Sequence, residues 1–238
     1  MQKTRIEWTE STWNPTTGCT KISLGCENCY AERMAKRLQS MGNDKYRNGF
    51  KLTLHPQVLN EPFAWRNPRT VFVNSMSDLF HEEMPIEYIQ EVFKVMNQNM
   101  RHTFQVLTKR ASVLLEYSKY LSWSKNIWMG VTVECDQYKK RIDQLSKTNA
   151  FVKFLSLEPL LTQVELIDLN GIDWIIVGGE SGPGARPIQE NWVSEIKTRC
   201  QRENIPFFFK QWGGVNKKKS GRILEGKTWD EMPKVMSI

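Results

Sequence analysis

From residue 70 onward the chain alternates between short apolar runs and longer amphipathic ones. RTVFVNSMSDLF, HTFQVLTKR, NIWMGVTVE, FVKFLSLEPLL, the DWIIVGG that opens DWIIVGGESGPGARP, and IPFFFKQWGG are rich in β-branched and aromatic residues and read as strands. Between them, IEYIQEVFKVMNQN behind Pro85, SVLLEYSKYL, QYKKRIDQLSKT and QENWVSEIKTRCQREN space their apolar residues as helices do. Strands apolar on both faces and separated by helices are the mark of a parallel sheet with crossover helices. A further strand is expected at TRIEWT, residues 4–9, ahead of a cysteine-rich loop. The predicted class is α/β, a full or partial TIM-like barrel of parallel strands and crossover helices. A doubly wound open sheet remains the alternative, because sequence does not report strand order. The 158–172 connection is less regular and is expected to hold a small extra element. Residues 1–69 then supply the first strand, the cysteine loop and a helical segment, and residues 70–238 complete a single (β/α) barrel domain.

A barrel gathers its strand ends at one mouth, where barrel enzymes assemble their sites. Here those ends carry Asp78, Lys109, Arg110, Glu134, Glu158, Glu180, Lys210 and Gln211. Polar residues also let a chain leave the core, which accounts for part of the set. It accounts less well for Glu134, Glu158 and Glu180, each directly behind mostly apolar residues. Lys109, Lys210 and Glu158 are therefore candidate catalytic groups, and Lys109, Arg110, Arg186 and Lys210 candidates for orienting an anionic substrate. In GGESGPGAR, glycines at 178, 179, 182 and 184 allow backbone amides to approach an anion or adenosine, and Arg186 suits a carboxylate or phosphate. A plain mobile turn is the simpler reading of that string. Glu134, Glu158, Gly178, Gly179, Glu180 and Arg186 are the candidate cofactor-binding residues. The Walker loop, the dinucleotide GxGxxG, GxSxG and HExxH are all absent.

Composition narrows the partners. No apolar run approaches the roughly 18–20 residues that cross a bilayer, and MQKTRIEWTEST lacks an apolar signal region, so a cytoplasmic protein without membrane association is expected. Lys plus Arg exceed Asp plus Glu by 33 to 26, a formal +7, which favours phosphate-rich partners. Lys217, Lys218 and Lys219 with Arg222 either add phosphate contacts or form a solvated loop.

Three of the five cysteines crowd into Cys19-TKISLG-Cys26-EN-Cys29, just ahead of a helical pattern that begins at Tyr30 and carries Arg33, Lys36 and Arg37 on one side. Three thiolates without a close fourth ligand suit an iron–sulfur cluster with one open iron; zinc and free thiols are the alternatives. Cys135 is a conceivable distant ligand and Cys200 a packing residue.

The strings EWTESTWNPTTGCTKISLGCENCYAERMAKR, SMSDLFHE, SLEPLL, GGESGPGARP and FFFKQWGG resemble a phage- and prophage-associated family of uncharacterised proteins, across almost the whole chain. That family is similar in fold and cysteine motif to the radical S-adenosylmethionine superfamily, although the first cysteine gap here is six residues where the superfamily usually has three. The resemblance implies that Cys19, Cys26 and Cys29 ligate a [4Fe–4S] cluster whose open iron binds S-adenosylmethionine, that an external electron donor reduces it, and that a radical modifies a nucleotide or nucleic acid. Two other classes compete: a non-catalytic, metal-containing nucleic-acid-binding or regulatory protein, and a non-radical hydrolase or lyase on the same barrel.

Overall fold

The computed structural model describes residues 4, 6–166 and 168–234. Seven parallel strands form one sheet: β1 (Ser11–Trp13), β4 (Thr70–Val73), β5 (Thr103–Thr108), β6 (Ile127–Thr132), β7 (Val152–Leu157), β8 (Trp174–Gly178) and β9 (Phe207–Gln211), hydrogen-bonded in that order. Two short strands, β2 (Thr16–Thr17) and β3 (Thr53–Leu54), make a separate antiparallel pair. The helices are α1 (Tyr30–Ser40), α2 (Ile86–Gln98), α3 (Ala111–Ser118), α4 (Lys140–Ser146), α5 (Glu190–Glu203) and the short α6 (Lys217–Ser220). The sheet curls but does not close, since β1 and β9 share no ladder. The architecture is an open half-barrel, which corrects the expectation of a full TIM barrel.

The period-two pattern of the strands sorts their side chains into two cores. Val71, Val73, Val106, Met129, Val131, Leu155, Ile175, Val177, Phe207 and Phe209 turn outward and pack with Ile89, Phe93, Leu114, Leu145, Val193 and Ile196 of the helices. Alternate positions on the concave face, Phe72, Trp128, Phe154, Trp174, Ile176 and Phe208, join Trp8 in a second cluster. Trp174 is its hub, with Trp8, Trp128, Phe154 and Phe208 each within 6.2 Å of its ring centre. Edge-on and tilted ring contacts of this kind add to the gain from burial. Gly130 makes room for the plug, because a Cβ there would lie 2.4 Å from the Phe154 ring.

TRIEWT forms no strand among its described residues. Its Trp8 enters the aromatic plug, and the first strand lies further on, at Ser11–Trp13. The 158–172 connection carries neither helix nor strand among its described residues, and a cis peptide bond joins Glu158 to Pro159.

Candidate functional site: a lidded mouth at the strand ends

Following the concave face upward, the aromatic floor gives way to small residues and then to charge. On β6 the sequence of inward positions is Trp128, Gly130, Thr132 and Glu134; on β7 it is Phe154, Ser156 and Glu158; on β8, Trp174, Ile176, Gly178 and Glu180. Lys109 follows β5, and Lys210 lies near the end of β9. The strand ends thus converge as the sequence suggests, and the pairings among them decide which groups remain available.

The charges fall into four sets. Asp78 accepts from Thr108 Oγ1 at 2.7 Å, from the Lys109 amide at 3.1 Å and from Arg110 Nη1 at 3.1 Å. Arg110 also donates to Glu82 at 2.7 Å and to Thr20 Oγ1 at 2.8 Å. Burial works against the Arg110 charge, but Asp78, Cys19 and Glu82 hold its pKa above the ordinary value. Glu134 is fully buried and receives Arg141 Nη1 at 2.7 Å and Ser23 Oγ, while Lys109 Nζ stands 3.7 Å away. Glu158 takes Lys210 Nζ at 2.7 Å and Gln211 Nε2 at 3.4 Å. Glu180 receives Arg186 Nη2 at 2.6 Å and Nε at 2.9 Å, together with Asn28 Nδ2 at 3.0 Å. Burial tends to raise the Glu180 pKa, yet the Arg186 and Asn28 hydrogen bonds outweigh it and hold the carboxyl below its usual range.

The cysteine loop lies across these ends as a lid. Thr20 engages Arg110 and also His81 Nε2 at 2.9 Å. The His81 Nδ1 accepts from the Glu83 amide, so its Nε2 carries the proton and donates to Thr20. Further along, Ser23 reaches Glu134, the Leu24 carbonyl and Glu27 carboxylate take Arg186, and Asn28 bridges Glu180 and the Gly184 carbonyl. Gly25 is required for this approach: a Cβ there would sit 2.5 Å from the Glu134 side chain. The loop then starts α1 with Tyr30, whose hydroxyl donates to the Ser75 carbonyl.

This use of the loop overturns the metal expectation. Among the described residues no group of three or more His, Cys, Asp or Glu side chains is arranged to hold a metal ion. The three thiols are dispersed over different contacts. Cys19 Sγ accepts from Arg110 Nη1 and donates to the Thr20 carbonyl, both at 3.4 Å. Burial, with Asp78 adding to it, pushes its pKa up to about 11, so it is a thiol and not a thiolate at neutral pH. Cys26 lies 3.4 Å from Ser23 Oγ, and Cys29, the residue ahead of α1, packs toward Ala31, Ala35, Tyr46 and Met76 without a side-chain capping bond. Assignment of Cys19, Cys26 and Cys29 to a [4Fe–4S] cluster is therefore corrected, as are a closed zinc site, bound S-adenosylmethionine and radical chemistry. Two carboxylates expected to hold that cofactor, Glu134 and Glu180, are already bound by arginine.

The glycine string is stitched to β9, with the Gly179 amide donating to the Gln211 carbonyl and the Gly182 amide to the Gly214 carbonyl. Cys135 and Cys200 are buried, and burial pushes the Cys200 pKa up to about 12. Sequence reasoning missed Ser23, Asn28 and Arg141, and gave no site role to Tyr30 or to Asn74 at its strand end. Only Asn74 had a local signal, a short polar residue directly behind the apolar run VFV; it adopts φ 59°, a left-handed conformation that asparagine tolerates.

The fold and site define an α/β half-barrel with an ionic mouth roofed by its own N-terminal loop. The chain belongs to the DUF5131 family, described as protein of unknown function, whose family model matches residues 3–233. That description carries neither a phage association nor radical chemistry, so both parts of the earlier resemblance are set aside. No curated protein and no solved structure matches the chain. Among the described residues, no helix is long and apolar enough to cross a membrane.

Proposed function

We propose that the mouth binds the phosphate of a nucleotide, free or within a nucleic-acid strand, with Lys109 and Lys210 receiving it. The observation that carries this reading is the contrast between the arginines and these two lysines. Arg110, Arg141 and Arg186 are each held by carboxylates and backbone carbonyls or hydroxyls. Lys109 stands 3.7 Å from a carboxylate that Arg141 and Ser23 already hold, beyond hydrogen-bond reach. Its side chain keeps 22% exposure, and that of Lys210, which makes one bond to Glu158, keeps 13%. An ammonium has three donors, so both retain capacity for an anion. The surrounding surface supports the same reading, with Arg33, Lys36 and Arg37 exposed on α1 and Lys218 and Lys219 exposed on α6.

Calorimetry with a nucleoside triphosphate and anisotropy with a labelled single-stranded oligonucleotide, at about 50 and about 200 mM salt, test the reading. Binding that weakens with salt is expected, and the Lys109→Gln, Lys210→Gln double variant should lose about tenfold or more in affinity while keeping its melting temperature. If neither probe binds at the lower salt, the reading fails. If the triphosphate binds and the strand does not, the ligand is a free nucleotide.

A further inference from the structure

Two buried polar atoms at the mouth have no hydrogen-bond partner among the described residues, and they are of opposite kinds. Asn74 Nδ2 is a donor on a residue only 2% exposed, and Gln211 Oε1 an acceptor on one 4% exposed. Buried groups of this sort are ordinarily satisfied, since an unmade hydrogen bond costs about 1–3 kcal/mol. Both side chains are otherwise fixed. Asn74 Oδ1 accepts from the Thr16 amide at 3.3 Å, which leaves its amide nitrogen directed elsewhere at the end of β4. Gln211 Nε2 donates to Ser181 Oγ at 2.6 Å and lies 3.4 Å from Glu158, which leaves its oxygen over.

Tyr30 links the two. Its hydroxyl donates to the carbonyl of Ser75, the neighbour of Asn74, and its phenol is within electrostatic reach of Glu158, the partner of Gln211. The residue as a whole is nonetheless 53% exposed. The exposed aromatic, bonded to the residue next to the orphan donor, offers a flat heteroaromatic ring a stacking surface, and the orphan donor and acceptor offer complementary edge contacts.

From this we infer that the mouth recognises the base of its nucleotide, with Asn74 Nδ2 donating to a ring nitrogen or carbonyl, Gln211 Oε1 accepting from an N–H, and Tyr30 stacking. The inference rests on the nucleotide reading above and extends it from the phosphate to the base.

The test is calorimetric comparison of ribose 5-phosphate with the adenosine, guanosine, cytidine and uridine monophosphates. At least one nucleotide should bind about tenfold or more tightly than ribose 5-phosphate, the scale of one good stacking or edge contact. Asn74→Asp, which keeps the shape, the tolerance for positive φ and the acceptor for Thr16, and Tyr30→Leu, which removes the ring and its bond to Ser75, should each bring that ratio toward one, with thermal unfolding showing that each variant is folded. Taking the ratio cancels the general effect of an added charge. Equal affinity for ribose 5-phosphate and all four nucleotides overturns base recognition and leaves the phosphate reading intact. A base preference unmoved by either variant also overturns it. Failure of all five ligands to bind defeats both readings.

Discussion

Asp78 shows what a single strand-end residue does here: it accepts from the Phe80 and Lys109 amides, the Thr108 hydroxyl and the Arg110 guanidinium, and so fixes the turn after β4, the end of β5 and, through Arg110, the lid. Arg110 is 3% exposed, so losing Asp78 strands a buried cation. Asp78→Ala is expected to lower unfolding stability by about 3–5 kcal/mol, the usual cost of breaking a buried ion pair from one side. Urea unfolding measures it, and a loss near 1 kcal/mol would mean that Glu82 suffices for Arg110. At this scale the sequence was a good guide to which residues meet, because every strand end of a parallel sheet points the same way. It could not say which would be bound up. Ser23 and Glu134 are 111 positions apart, and no spacing rule links them. The cysteines misled for a related reason: Cys-x2-Cys describes proximity along the chain and is silent on whether the thiols face one another.

The strands were legible because their runs are apolar on both faces, and the helices because theirs are not. β1 was placed too early since its three residues, Ser-Thr-Trp, form no apolar run, whereas TRIEWT imitates a strand. The floor of the half-barrel depends on a glycine that no sequence pattern singles out. Gly130→Ala would drive a methyl group into the Phe154 ring, and a destabilisation of about 1–3 kcal/mol is expected from this overpacking. Adding Phe154→Leu should recover part of the loss, giving a non-additive double variant in thermal unfolding. Strict additivity would show that the backbone of β6 yields instead.

For the molecule as a whole, all three histidines are buried and all have depressed pKa values. His55, bonded to Thr17 at 2.8 Å, is the most affected: burial, with Lys45 adding to it, lowers its pKa from 6.5 to about 4. The unfolded chain therefore takes up a proton below about pH 6.5 that the folded protein refuses until about pH 4. The His55 contribution is complete above pH 6.5 and is lost as the pH falls toward 4, on the order of 3 kcal/mol in total. Urea midpoints should fall between pH 7.5 and pH 5, ahead of the carboxylate range, and His55→Gln should flatten part of that slope. Midpoints unchanged across the interval would contradict the assignment.

The lid also fixes an order of assembly. Residues 23–28 come to rest on Glu134, Gly184 and Arg186, so their destination is made between 111 and 162 positions after they are. During synthesis at about 5–20 residues per second, the loop leaves the ribosome several seconds or more before its seat exists. Helix α1 can form from local contacts meanwhile, but the roof of the mouth closes only once β8 and the turn behind it have emerged. The mouth is therefore completed well after the residues that roof it have been made.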